Sequence, residues 1–512
     1  MHLLMKKKRL TEIIGLLGLF ILLYCFAGQK AETVVPVETE SAAEVLPQAE
    51  ENIDMTDSTE IAEKENVLNA MLQYGTADFY CGYPVDEAFL SWVTDTYGKE
   101  NIEKLAGQLK DGKADAASWY RITGNSMHVL WMEYCRAHDY ATYLYEDTVW
   151  KAASDSSGIR LDFIGDVNFD DNWHTMKSAE ENKAVSACIS DEIQKELKSA
   201  DITMMNNEFA YTKKGEAQEG KEYSFRTSPE KVALLEIFGT DIVSVANNHV
   251  FDYGEKGFLD TLDTLKKAGI VYSGGGRNLE EATAAKYFIV KGRKIAIVSA
   301  TEIERFSHYT KKAGENTPGV LKTQQTQAFK QAIQNAEKNS DYVIAYLHWG
   351  GEGKIHYDGN QAELAKLCVD AGADAVIGGH PHRLQGVEFI KDVPVAYSLG
   401  NFWFSNGTLY TTIAQIQIDE KGKLTLQMLP CIHRGVKTEF CKGEEKKEFY
   451  HYLADVSKNV GIDGSGRFYP YKDVDVPGES PYTYTSGRRY GQHFDDVDLN
   501  MKEIDVVGNL KD

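Results

Sequence analysis

The chain has 512 residues, a formal net charge of −22, an apolar fraction of 43% and 11% aromatic residues. That is ample material for folded cores and more length than one ordinary core takes up, so two or three folded units are expected. The acidic balance excludes a nucleic-acid partner, because phosphate binding needs a concentrated basic surface.

Residues 1–30 begin with a basic cluster, Lys6 to Arg9, followed by a nearly unbroken apolar run from Ile13 to Ala27. That order of charge and hydropathy predicts a membrane anchor whose bulk lies outside the cytoplasm, with a cleaved secretory signal as the alternative. Residues 31–60 hold nine acidic residues and no basic one, with Pro36 and Pro47. Such a segment buries too little apolar area to offset its ordering entropy and reads as a disordered linker.

Residues 61–150 show helical periodicity, as where Met127, Leu130, Trp131, Tyr134 and Cys135 fall on one face, and read as a small helical domain. From 159 to 415 the character changes. Short apolar runs (IRLDFIGD, DITMMNNEF, DIVSVANNH, KIAIVSA, DYVIAYLHWG, ADAVIGGH, VPVAYSLGNF) end in polar or glycine-containing turns. Helix-like stretches lie between them: Glu181–Leu197, Pro229–Phe238, Glu255–Ala268, Gln324–Ala336 and Asn360–Ala371. This alternation predicts an α/β sheet covered on both faces, with a site where the strand ends converge. From Thr412 two alternating runs flank Glu420-Lys421-Gly422 and predict a hairpin, so 416–512 reads as a hairpin and an extension packed on the core. The cysteines lack any CxxC spacing, and Cys431 with Cys441 is the nearest pair for a bridge.

Five strand exits offer metal ligands: Asp166, Glu208, Asn248 with His249, His348, and His380 with His382. A mixed oxygen and nitrogen set without thiolates suits zinc, manganese or iron. Two divalent ions bridged by a carboxylate would activate water at neutral pH and clamp the oxygens of a transition state. Asp166 or Glu208 is the natural bridge, Asn248 completes one shell, and the imidazoles of His348, His380 and His382 supply the rest. His249 is expected as the general acid, its tautomer fixed by Asp252 or Glu352. Arg226 and Arg383 are expected at the rim, where charge-assisted bonds would hold an anionic substrate.

In order along the chain, GD at 165–166, NNE at 206–208, SFRTSPE at 224–230, NNHVFDYGEKG at 247–257, LHWGGE at 347–352, GGHPHRLQG at 378–386 and YSLGNF at 397–402 carry a resemblance. The sequence resembles the poly-gamma-glutamate capsule-synthesis family, the CapA-type proteins, a branch of the calcineurin-like metallophosphoesterase fold. The resemblance covers about residues 159–410. It implies a four-layer α/β/β/α sandwich beside the small N-terminal helical domain. It also implies a hydrolase-like site acting on an anionic capsule polymer, alongside membrane-bound synthesis or export proteins. A phosphoesterase for small substrates and a non-catalytic scaffold are the alternatives. Classical members of the fold open with Asp-x-His, whereas Asp166-Val167-Asn168 stands here, which puts one ion's ligand set in question.

Overall fold

The computed structural model describes residues 67–138, 148–151, 157–181, 184–304, 308–470 and 482–483. Among the described residues no helix is long and apolar enough to cross a membrane. The anchor expected at 1–30 and the linker at 31–60 lie outside the described residues. The membrane-anchored placement is corrected accordingly: no membrane-spanning helix supports it among the described residues.

Near the N-terminus the helices Glu87–Tyr97 and Met127–Ala137 start where Asp86 and Ser126 accept hydrogen bonds from the amides of Phe89 and Val129. With Lys99–Lys110 and Ala117–Thr123 they bury Phe89, Leu90, Trp119, Leu130 and Tyr134 in a cluster of their own. This part is tied to the sheet beside it. Ser126 Oγ donates to Asp341 Oδ2 (2.6 Å), and the Arg293 guanidinium lies over the Tyr120 ring at 3.5 Å.

Two sheets follow. The eight-stranded one contains β2 (Ile159–Val167), β3 (Ile202–Asn207), β4 (Ile242–Ser244), β5 (Val271–Ser273), β12 (Asn401–Trp403), β13 (Thr408–Ile418), β14 (Leu424–Arg434) and β15 (Lys437–Phe440). Its order is β15-β14-β13-β2-β3-β4-β5, with β12 also pairing β2, and β2 to β5 are parallel. The seven-stranded one contains β1 (Thr148–Trp150), β6 (Lys286–Val290), β7 (Arg293–Thr301), β8 (Tyr342–His348), β9 (Ala375–Gly379), β10 (Val387–Ile390) and β11 (Val393–Ala396). Its order is β1-β6-β7-β8-β9-β11-β10, with β7, β8, β9 and β11 parallel. The architecture is mixed α/β and consistent with a metallophosphoesterase-like fold.

Successive side chains on a strand point to opposite faces, and here both faces are apolar. Along β8, Ile344 and Tyr346 join a cluster shared with Leu161, Phe163 and Met204 of the other sheet. Val343, Ala345 and Leu347 pack instead with Phe329, Ile333 and Cys368 from the helices Thr326–Lys338 and Gly359–Asp370. On the eight-stranded sheet, Ile164 and Met205 meet Ile193, Leu197, Phe258 and Leu262 of the helices Asp191–Lys198 and Gly254–Lys267.

Two expected helices differ. Glu181–Leu197 divides into a helix ending at Glu181, a 3-10 turn Val185–Cys188, and Asp191–Lys198. The Ser190 side chain accepts from the Ile193 amide and starts a fresh helix there. Pro229–Phe238 is a 3-10 helix rather than an α-helix. The alternating runs from Thr412 pair antiparallel as β13 and β14, and Cys431 and Cys441 are free thiols.

The parallel strands bring their C-terminal ends to one region. There β12 crosses close to β2: the Asp166 amide donates to the Gly400 carbonyl at 3.0 Å, and a Cβ on Gly165 would lie 1.9 Å from that oxygen. Gly165→Ala therefore has no space without parting the two strands. It is expected to cost at least about 1–3 kcal/mol, read as a lowered midpoint in thermal or denaturant unfolding. An unchanged midpoint would contradict this close approach.

Candidate metal centre

Asp166 is the penultimate residue of the central strand β2 and Glu208 follows β3 directly; both are fully buried. His348 is the last residue of β8, and His380 and His382 follow β9. His380 and His382 adopt φ of +95° and +56°, a region that costs a residue with a side chain. The cost turns the chain so tightly that the His380 amide reaches the Asp166 carboxylate (3.2 and 3.4 Å). Gly379 is required beside it, since a Cβ there would lie 2.8 Å from Asp166 Oδ1.

These groups fall into two sets that share one residue. Glu208, His348 and His380 form one, and Asp166, Glu208 and His382 the other, each with ligand atoms within 4.8 Å of one another. Glu208 Oε1 lies 3.4 Å from His348 Nε2 and 3.8 Å from His382 Nε2, while His382 Nδ1 lies 3.3 Å from Asp166 Oδ2. Asn248 Oδ1 is 2.8 Å from His348 Nε2 and so joins the first set.

The electrostatics fit divalent cations. Burial, and then the neighbouring Asp166 and Glu352 carboxylates, hold the Glu208 carboxyl well above its usual range. Burial and neighbouring imidazoles push His348 and His380 down. Burial alone would lower His382 too, but the Asp166 carboxylate and then Glu352 outweigh it and raise it. Among the described residues Glu208 Oε1 and His380 Nδ1 have no hydrogen-bond partner although both are buried, an arrangement that cation ligation would satisfy. The donors are oxygen and nitrogen only. Two candidate sets sharing a carboxylate are what a two-metal site of unspecified identity requires.

His249 stands beside the cluster. Its Nδ1 faces Asp252 Oδ2 at 2.8 Å, its amide donates to Asn247 Oδ1 (3.0 Å), and its ring packs on Phe225 at 4.5 Å. Of the two expected orienting acids, Asp252 is in contact; Glu352 sits near His380 Nε2 instead (3.9 Å). A cleft opens here, lined by Trp173, Tyr223, Phe225, His249, Glu352, His382, Arg383, Asn401 and Phe404. Arg383 thus reaches the cleft, its Nη1 donating to the His382 carbonyl (3.0 Å). Arg226 does not line it; its guanidinium lies over the Tyr253 ring at 4.2 Å.

Sequence reasoning missed Asn206, whose Nδ2 lies within 2.7 Å of Asp166 Oδ1, 3.0 Å of Glu208 Oε2 and 3.2 Å of His348 Nδ1. It also missed Asn401, whose Oδ1 meets His382 Nδ1 at 2.7 Å. Both stand in strings already noticed, NNE and YSLGNF; for Asn206 a carboxamide two residues before Glu208 was the available signal, whereas Asn401 has no candidate ligand beside it in sequence.

The family model described as "Bacterial capsule synthesis protein PGA_cap" matches residues 160–406. The chain is 31% identical over 292 residues to the PGA biosynthesis protein CapA of Bacillus subtilis (strain 168), covering 56% of this chain and 75% of that relative. The chain belongs to this family. It is also 31% identical over 275 residues to the capsule biosynthesis protein CapA of Bacillus anthracis, covering 52% of this chain and 66% of that one. A probable polyglutamine synthesis accessory protein of Mycobacterium tuberculosis is 28% identical over 285 residues, covering 52% of this chain and 74% of that protein. Every candidate ligand lies inside the segment that the family model matches.

Because Glu208 belongs to both sets, its loss should affect both ions. Elemental analysis of protein supplied with zinc or manganese is expected to give about two equivalents, falling to near zero in Glu208→Ala. Asp166→Ala and His380→Ala should each retain about one equivalent. Full metal content in Glu208→Ala would rule out the shared carboxylate.

Proposed function

We propose that this protein is a metal-dependent hydrolase acting on poly-gamma-glutamate or a related anionic capsule polymer, at an amide or ester bond. Support comes from one observation above all: two ligand sets share Glu208 beside a His249–Asp252 pair that borders an open cleft. In this reading the domain at 159–415 is a four-layer α/β/β/α sandwich, and the apolar clusters on both faces of each sheet support it. Among the described residues, 67–138 are its helical companion and 416–470 pack upon it. The names of the relatives supply the polymer.

Asp166, Glu208, Asn248, His348, His380 and His382 would hold the ions. Divalent ions held by these residues would supply water activation and electrophilic assistance to the reacting carbonyl. The chain's own residues supply the remainder. His249, held through Nδ1 by Asp252, gives a proton from its other nitrogen to the departing group. Trp173, Phe225 and Phe404 wall the cleft and keep bulk water from that proton. Arg383 offers a cation on the cleft side of His382 for a polymer carboxylate.

Incubation of the zinc- or manganese-loaded protein with poly-gamma-glutamate should shorten the polymer without any phosphate requirement. His249→Ala should slow that by about a hundred- to ten-thousand-fold at unchanged metal content. Release of phosphate from aryl phosphates, with the polymer left intact, would replace this reading with a phosphoesterase. Capsule production undisturbed by Asp166→Ala and His380→Ala in cells would leave a scaffold.

A further inference from the structure

A row of rings runs along one side of the cleft and links His249 to His382. His249 packs on Phe225 with ring centroids 4.5 Å apart, Phe225 meets Phe404 edge-on at 5.7 Å, and Phe404 lies 4.6 Å from His382. Trp173 stands against both phenylalanines, 4.9 Å from Phe225 and 6.1 Å from Phe404. Hydrogen bonds fix this wall before any ligand arrives. The Phe404 carbonyl accepts from Trp173 Nε1 (2.5 Å) and Thr175 Oγ1 (2.9 Å), and the Phe225 amide donates to Asp252 Oδ2 (2.7 Å). Among the described residues that line the cleft, Arg383 is the one lysine or arginine, and Glu352 adds a half-exposed carboxylate. An apolar surface therefore borders the reacting bond, with a single guanidinium beside it.

We infer that Trp173, Phe225 and Phe404 set linkage specificity, by accepting a short, unbranched and uncharged stem on the acyl side of the reacting amide. The inference deepens the hydrolase reading and rests on it for turnover, whereas the preference in binding rests on the cleft alone. The space is narrow: its volume is about 50 Å³, against roughly 10–15 Å³ for one water. That admits a stem of a few atoms and no further ring. In a γ-linked glutamyl chain the reacting carbonyl follows plain methylene carbons, which bury favourably against aromatic rings. The carboxylate nearest the bond then sits on the nitrogen side and is left for Arg383. An α-linked chain of the same composition instead puts a peptide N–H on the carbon next to the carbonyl. Against the three rings that N–H loses water and finds no acceptor, since the Phe404 carbonyl already holds two donors.

The test gives the zinc-loaded full chain γ-linked and α-linked pentaglutamate, equal in length and charge, and follows binding by calorimetry and cleavage by mass spectrometry. Wild type should favour the γ-linked oligomer by at least about tenfold, in kcat/KM where it is cleaved and in Kd where it is not. Phe404→Ala should bring that ratio within about threefold at unchanged zinc content, and Phe404→Leu, which keeps an apolar wall, should retain most of it. Should Phe404→Ala fail to fold, Trp173→Ala carries the same expectation at a partly buried position. Equal use or equal binding of the two linkages by wild type, no binding of either, or a preference that survives in a folded alanine variant overturns the inference. A γ preference in binding with neither oligomer cleaved would remove the hydrolase reading and leave the inference standing. Cleavage of both at equal kcat/KM would do the reverse.

Discussion

The burial of Glu208 is the constraint on which the rest of the site depends. A carboxyl group with no solvent exposure stands next to a second buried carboxylate, Asp166, and its ionised form is costly there without a cation. The surroundings do not relieve that cost with protons. His348 and His380 are pushed toward their neutral forms, and one oxygen of Glu208 lacks a hydrogen-bond partner among the described residues. Asn206 is the partial remedy, since its Nδ2 lies within hydrogen-bond distance of a carboxylate oxygen on each side. An arrangement so unfavourable to an apolar core is stable when a divalent ion completes it.

The fold tolerates this concentration of polar groups because it confines them to the ends of strands. Leu161, Phe163 and Met204 lie on the same strands as Asp166 and Asn206, yet their side chains enter the core shared with the other sheet. Alternation along the strand thus delivers apolar contact to that core up to the last two or three residues, and the candidate ligands stand at the exits. Close backbone approach does the final positioning: the glycine before Asp166 meets the Gly400 carbonyl, and the glycine before His380 meets Asp166 itself.

How far the sequence foretold this varies with the range of the interaction. Runs such as DYVIAYLHWG and ADAVIGGH were legible as strands because an apolar run ending in a polar turn is a local pattern, and the ligands at their exits were legible with them. The alternation from Thr412 to Leu429 was legible as paired strands for the same reason. Glu181–Leu197 misled because its amphipathic spacing ran across Ser190, where a local cap outweighs the spacing. Glu352 and Asp252 looked equivalent as partners for His249; only the turn after Val250 brings Asp252 within reach. Asn401 acts across a tertiary contact, on His382, and no candidate ligand stands beside it in sequence.

Asn168 shows what replaces the histidine of the Asp-x-His pattern. Its Oδ1 accepts from the Asp170 amide at 2.7 Å, and Asp170 Oδ2 in turn accepts from the Arg226 amide at 2.7 Å. Asp171 takes the Thr227 hydroxyl at 2.8 Å, so the turn after β2 braces the segment that carries Phe225. The Asn168 side chain thus supports a loop. The two ligand sets are consequently unequal. The set of Glu208, His348 and His380 is supplemented by Asn248 and holds two imidazoles that burial pushes down, whereas the set with Asp166 has a single imidazole, His382, which the Asp166 carboxylate raises against the effect of burial. The first set, with two imidazoles and the Asn248 carboxamide, is therefore the better prepared for an ion.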